Sequence, residues 1–224
     1  MINAAELISG DHELTIADET IQLLPERAVF WPRTQTIFIA DPHLGKAATF
    51  RAHAIPLPEG NTGAELQRLG QAIDRTGADK LIILGDLFHT AKGREEAVLN
   101  AVTAWREQYA TLAIYLVRGN HDRHAGDPPP EWRFTVSDGP TPGPYWVLSH
   151  EPITPENGYA LAGHLHPAVQ LTGKGKQTLK LPCFWFGERC GVLPAFGDFI
   201  DHGTIRPQRG DRVFVVAEDK VLAV

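Results

Sequence analysis

Cysteine is nearly missing from this 224-residue chain: Cys183 and Cys190 are the only two. Two thiols cannot staple a chain of this size, and their spacing excludes a CxxC metal knuckle. Two buried, reduced thiols are the expectation. No apolar run approaches the ~20 residues that a membrane span needs. The opening residues Met1-Ile2-Asn3-Ala4-Ala5-Glu6 lack both the basic start and the apolar stretch of a signal peptide. A cytoplasmic protein, with no membrane partner, is therefore expected. Excess positive charge is missing as well. The net charge is −6 and the pI is near 5.9, which argues against an extended surface for non-specific DNA contacts. A local one remains open, because two divalent cations in a cleft would add roughly four positive charges. There is no internal repeat and no low-complexity linker, so one domain over residues 1–224 is expected.

What is present is a regular alternation of strands and helices. Short strands are predicted at Glu13–Ile16, Ile21–Leu24 and Ala28–Trp31, then Gln35–Ala40, which stops at Asp41. Thr62-Gly63-Ala64-Glu65 has the form of a capping box, opening a helix with Leu66, Leu69 and Ile73 on one face and closing near Gly77. Leu81–Leu84 is a continuous apolar strand ending at Gly85-Asp86. Val98, Ala101, Val102, Trp105 and Tyr109 have helical spacing within 94–109, and Leu112–Val117 is the next strand. Asp127-Pro128-Pro129-Pro130 is a stiff loop. The second half is strand-rich: Tyr145–Leu148, Tyr159–Ala162, several short strands, then Arg212–Val216 turning at Glu218-Asp219 into Val221-Leu222. Two stacked sheets with helices outside are the predicted architecture.

Five polar clusters stand where strands end: Asp41-Pro42-His43, Gly85-Asp86, Gly119-Asn120-His121-Asp122, His150, and Gly163-His164-Leu165-His166. Ligands bind at strand C-termini in open α/β sheets. Carboxylate and imidazole donors together suit manganese, iron or zinc rather than calcium. One shared carboxylate can bridge two cations in a two-metal hydrolase. Glycines before Asp86, Asn120 and His164 permit sharp turns and close backbone approach.

This ordered set resembles the calcineurin-like metallophosphoesterases, whose fold is a four-layer α/β/β/α sandwich. The resemblance implies two divalent metal ions, most readily Mn2+, with Fe or Zn as alternatives. One would be held by Asp41, His43, Asp86 and His166, the other by Asp86, Asn120, His150 and His164. Asp86 would be the bridge. His121 would face the phosphate and the leaving oxygen, with Asp122 orienting it. An activated water would attack phosphorus in line. A narrower resemblance runs over nearly the whole chain. Leu24–Pro32, Ala40–Ala47, Ala162–Pro167 and Leu181-Pro182-Cys183-Phe184-Trp185-Phe186 are similar to the bacterial ligase-associated DNA damage response endonucleases. Pro42 departs from the Leu expected there, at a position that does not ligate. That resemblance implies manganese-dependent DNA cleavage, with a DNA ligase, a helicase and an exonuclease-like protein as possible repair partners.

Arg118-Gly119-Asn120-His121 also looks like a serine/threonine protein phosphatase motif. The accompanying Gly-Asp-x-x-Asp-Arg-Gly is absent, however: the chain reads Gly85-Asp86-Leu87-Phe88-His89-Thr90. For a DNA substrate, single-stranded or damaged, candidate phosphate contacts are Arg118, Lys46 and Arg123. Arg51, His53, Lys92, Arg94, His124 and Lys174-Gly175-Lys176 are further basic candidates. Phe50 and Trp185 are candidate stacking faces, and Phe184–Phe186 is a candidate exposed patch for a partner. Two alternatives stand beside the nuclease: the same chemistry on a small nucleotide or other phosphoester, and a non-catalytic adaptor, which would have lost ligands that this chain keeps.

Overall fold

A computed structural model describes residues 10–52, 60–172 and 177–224. The chain opens as a meander in which β1 (His12–Ile16), β2 (Glu19–Leu24), β3 (Ala28–Trp31) and β4 (Thr36–Ile39) pair antiparallel in sequence order. From β4 the pattern changes. β5 (Lys80–Ile83), β6 (Ala113–Val117) and β7 (Phe134–Ser137) add in parallel, completing a seven-stranded mixed sheet. The crossovers carry α1 (Lys46–Ala52), α2 (Asn61–Thr76), α3 (Glu96–Gln108) and the single turn α4 (Asp122–Ala125). No helix among the described residues is long and apolar enough to cross a membrane.

The second sheet contains β8 (Thr141–Pro142), β9 (Trp146–Leu148), β10 (Tyr159–Ala162), β11 (Pro167–Thr172), β12 (Thr178–Phe186), β13 (Cys190–Val192) and β14 (Gly203–Thr204). Their spatial order is β14-β11-β12-β13-β10-β9-β8. A hairpin of β15 (Arg212–Ala217) and β16 (Lys220–Ala223) adds onto β12.

The central strands of the first sheet read as unbroken apolar runs because both their faces are covered. Ile37, Ile39, Leu81, Ile83, Ile114 and Leu116 pack under Leu66, Leu69 and Ile73 of α2 and Val98, Val102 and Trp105 of α3. The alternate residues, with Phe38, Leu84 and Val117 among them, meet Leu161, Phe184, Phe186 and Phe214 of the second sheet. The two stacked sheets and the outer helical layer match the expected sandwich. On the far face of the second sheet the cluster is smaller. Cys183, Val213 and Val215 pack there with Leu181, Trp185 and Ile205, and no described helix contributes. Leu181–Phe186 therefore splits by strand alternation. Phe184 and Phe186 are interior, so they present no exposed patch, and the Trp185 indole N–H donates to Asp211 Oδ2 at 2.8 Å. Both cysteines are free thiols, but only Cys183 is buried as expected; Cys190 is half-buried.

The capping box does not form. Helix α2 starts two residues earlier, after Gly60 in a left-handed conformation (φ 87°), and Thr62 lies inside it. Glu65 accepts instead from Asn61 Nδ2 (2.8 Å) and from the Asp198 amide (2.7 Å). A distant loop has taken the carboxylate that would have capped the helix.

Candidate metal centre

Strand β4 ends at Ala40 and β5 at Ile83, and the two chains then run on side by side. The amides of Asp41, His43 and Leu44 donate to the carbonyls of Gly85, Asp86 and Leu87 at 3.2, 2.9 and 2.8 Å. This pairing sets Asp41 and His43 beside Asp86. The turn after β6 brings in Asn120 and His121, and the His121 amide donates to Asp86 Oδ1 at 2.9 Å. The second sheet supplies His150 after β9 and His164 and His166 after β10. The His164 amide reaches across to Asp41 Oδ2 at 2.8 Å.

The seven side chains expected as ligands thus converge. Ligand atoms of Asp41, His43 and His166 lie within 4.8 Å of one another, as do those of Asp86, His150 and His164. Asp86 Oδ2 sits between the groups, 3.6 Å from His43 Nε2 and 3.5 Å from His150 Nε2. Asn120 joins the second group, its Oδ1 2.9 Å from His150 Nε2. Five of these residues have left-handed backbones: Asp41 (φ 51°), His43 (45°), Asp86 (54°), His164 (69°) and His166 (45°). Left-handed residues other than glycine are held at a cost and cluster at functional sites.

The preceding glycines make room for ligands arriving from elsewhere. A Cβ on Gly85 would lie 2.1 Å from His150 Nδ1, one on Gly119 2.1 Å from Asp86 Oδ1, and one on Gly163 2.5 Å from Asp41 Oδ2.

The donor atoms fit cations. His150 Nδ1–H is occupied by the Leu84 carbonyl at 3.0 Å. Its Nε2 lone pair therefore faces Asn120 Oδ1 and Asp86 Oδ2, which are acceptors too. His166 Nδ1–H is likewise occupied by the Asp201 carbonyl at 3.1 Å, leaving Nε2 to face inward. Carbonyl contacts of this kind orient metal-binding imidazoles. Asp41 Oδ1, both His43 ring nitrogens and His166 Nε2 are buried with no hydrogen-bond partner among the described residues. Asp41 is 0% and Asp86 1% exposed, and among the described residues neither pairs with Lys or Arg. Two uncompensated buried carboxylates are expensive, and cations remove that cost. Burial, then the neighbouring His121, pushes the His43 pKa well below the ordinary histidine range. Burial, then His150, lowers that of His164. Imidazoles must be neutral to ligate.

His121 stands at the edge of the cluster, its Nε2 4.0 Å from Asp86 Oδ2. Its Nδ1–H donates to the carbonyl of His89 at 2.6 Å. Asp122, expected to orient this ring, does something else. Its buried carboxylate accepts the amides of Asp86, Leu87 and Gly119 at 2.8, 2.9 and 2.9 Å. His89 went unnoticed in the sequence. Its ring stacks on His121 (5.1 Å between centroids, 23° between planes), and Phe50 stacks on its other side at 6.4 Å. Burial, then Lys46, lowers the His89 pKa to about 4. The only available signal was a histidine close after Gly85-Asp86.

The basic candidates divide. Arg118 pairs with the exposed Asp127 (2.7 Å) and Asp138 (2.5 Å) and lines the same cavity as Asn120 and His150. Arg94 donates to the Ala125 carbonyl and lies over the Phe88 ring. Arg51 lies 3.7 Å from Glu95. Lys46 is largely buried, its ammonium 5.7 Å from the Phe50 ring centre. Arg123 and His124 are exposed and line, with Asn120 and His150, a cavity of about 400 Å³ beside the second ligand group. Lys92 is exposed on a 3-10 turn. His53 and Lys174–Lys176 lie outside the described residues.

The calcineurin-like phosphoesterase family model matches residues 34–186. The crystal structure of the nuclease MPE from Pseudomonas putida is similar over 96% of this chain and 100% of that one, with 34% identity and a TM-score of 0.85. Yfce, a phosphoesterase from E. coli, aligns over 84% of this chain and 97% of that one, with 16% identity and a TM-score of 0.39. Comparison with curated proteins gave no match. A family model spanning more than half of the chain covers all of the converging carboxylates and imidazoles, and the chain belongs to the calcineurin-like phosphoesterases, hydrolases of phosphoester bonds.

Proposed function

We propose that the chain is a manganese-dependent DNA endonuclease acting in DNA repair in the cytoplasm. The observation that carries this reading is the 34% identity, over nearly the full length of both chains, to a Pseudomonas putida nuclease. Asp41, His43, Asp86 and His166 would hold one cation, and Asp86, Asn120, His150 and His164 the other. The grouping of ligand atoms, with Asp86 Oδ2 between the groups, supports this division. When bound, such a pair supplies Lewis acidity and lowers the pKa of water.

The chain's own groups account for the rest. With Nδ1–H committed to the His89 carbonyl, His121 presents Nε2 to the reacting centre. In the imidazolium form that atom donates to a phosphoryl oxygen and then to the leaving oxygen. Asp122 fixes the loops that carry Asp86 and Asn120. Arg123, exposed beside the cavity, is positioned to meet a phosphate of the DNA backbone. A DNA ligase, a helicase and an exonuclease-like protein are the proposed repair partners.

The test is cleavage of circular single-stranded DNA by metal-stripped protein refilled with manganese. The wild type should cut the circle, which has no ends. His121→Ala should keep both cations and lose about 10²–10⁴-fold in rate. An intact circle alongside active hydrolysis of a small phosphodiester would favour a second reading, an enzyme for a small nucleotide or other phosphoester. The cavity of about 400 Å³, a size suited to such ligands, is the observation behind that alternative.

A further inference from the structure

Among the described residues, twelve that are not glycine have left-handed backbones. Five are the metal-site residues above. Ala17, Asp18, Arg27 and Glu218 turn between paired strands, and Gln35 and Arg133 end 3-10 helices. Phe199, with φ 56°, does neither. A bulky side chain in this region is a genuine outlier, and the surroundings must impose it.

They do so on both sides. Before Phe199, the amides of Phe196 and Gly197 donate to the carbonyls of Ala40 and Asp41 at 2.7 and 3.2 Å. The Asp198 carboxylate pairs with Arg27 and Arg68 at 3.0 and 3.1 Å, and the Asp198 amide donates to Glu65. After it, Ile200 is buried and the Asp201 carbonyl holds His166 Nδ1 at 3.1 Å. Every neighbour is tied down, yet Phe199 itself is 50% exposed. The anchors also locate it. A Cβ on Gly197 would lie 2.2 Å from the Pro42 carbonyl, so the loop lies directly against the Asp41–His43 segment. Phe199 is two residues from that contact and two from the one to His166, about 7.6 Å of chain each way. Phe199 thus sits on a rigid loop tied both to the Asp41–His43 segment and to His166.

We infer that Phe199 is a stacking subsite for the nucleobase beside the scissile phosphate. The inference rests on the proposed DNA substrate. An aromatic ring held out into water at the edge of a phosphodiester centre gains from an occupant that brings a phosphate and a flat apolar face on one backbone. A nucleotide in a single strand is that occupant, and stacking accepts any base. A small phosphodiester with no base reaches the centre without touching the ring.

The experiment uses the manganese-loaded protein and an end-labelled single-stranded oligonucleotide in which one abasic residue is walked along the sequence. Wild type should cut about 5- to 150-fold more slowly at one fixed offset from the abasic residue. Phe199→Ala should lose the same factor on intact DNA and show no such notch. Phe199→Trp should restore both. Manganese content and cleavage of a phosphodiester joining two abasic sugars should be unchanged in both variants. Wild-type cleavage rates or a persisting notch in Phe199→Ala would overturn the subsite. Equal loss on both substrates, or loss of manganese, would make Phe199 a structural residue. If wild type cleaves only the small ester, the DNA reading itself has failed, and the subsite with it.

Discussion

Asp122 shows how little sequence adjacency says about side-chain direction. Next to His121 in the chain, it looked like that residue's partner. In the fold, the first turn of α4 points its carboxylate back under the strand ends, where three buried amides use it. Burial raises its pKa and the amides oppose that rise. Removing the carboxylate leaves those amides unpaired, at about 1–3 kcal/mol each before relaxation. Asp122→Ala is therefore expected to lose about 3–5 kcal/mol of stability by urea unfolding and to lower manganese content, because Asp86 sits on the loop it holds. His121→Ala should do neither. An Asp122→Ala protein with full stability and full metal, but no activity, would return Asp122 to the role of orienting His121. His89 was illegible for the same reason: what matters is its backbone carbonyl and the ring it stacks on, and neither follows from its type.

At the scale of elements, two glycines make opposite predictions for one substitution. Gly119 stands at the end of β6, and a Cβ there meets Asp86 Oδ1 at 2.1 Å. Relief requires the shared carboxylate to move, and a displacement near 1 Å at a reacting centre costs about 10²-fold. Gly119→Ala should cut activity by at least that factor with unchanged far-ultraviolet circular dichroism. Gly63 lies in α2 with nothing within 4 Å of its would-be Cβ. Gly63→Ala should instead stabilise by about 0.5–1 kcal/mol and leave activity alone. Equal behaviour of the two would show that the ligand turn has slack. The first half of the fold was legible because its strands are covered on both faces and its helices are amphipathic, so β3, β5 and β6 appear within a residue of expectation. The second half resisted. Strand β12 pairs with β11 over Thr178–Pro182 and with β15 and β13 over its last residues from Cys183 on, and no local pattern encodes a strand that changes partners. The ligand motifs stood out regardless, since each follows a strand. The left-handed backbones that aim them did not.

The molecule as a whole is divided across its candidate centre. Asp41, His43, Asp86 and Asn120 belong to the first sheet and its loops, and His150, His164 and His166 to the second. Under the proposed assignment, cations held by both sets would join the sheets as well as serve the reaction. Burial, with Asp41 beside it, raises the Asp86 pKa. The sign follows: a carboxyl raised in the folded state costs no stability below about pH 4, where it is protonated unfolded as well, and costs progressively more as pH rises through its folded value. At neutral pH the metal-free protein is therefore destabilised by this buried carboxyl, and a cation removes that cost. Binding at 100 times Kd contributes about 2.7 kcal/mol, and about 2–4 °C per kcal/mol applies to chains of this length. Manganese should thus raise the Tm of chelator-treated protein by about 5–10 °C at pH 7.5. Asp86→Asn should abolish that rise while unfolding, metal-free, at no lower temperature than the metal-free wild type, because Asn still accepts the His121 amide and brings no charge. A wild-type Tm that ignores manganese would mean that the two sheets share no cation. A metal-free Asp86→Asn protein that unfolds well below metal-free wild type would mean that the carboxylate supports the fold without one.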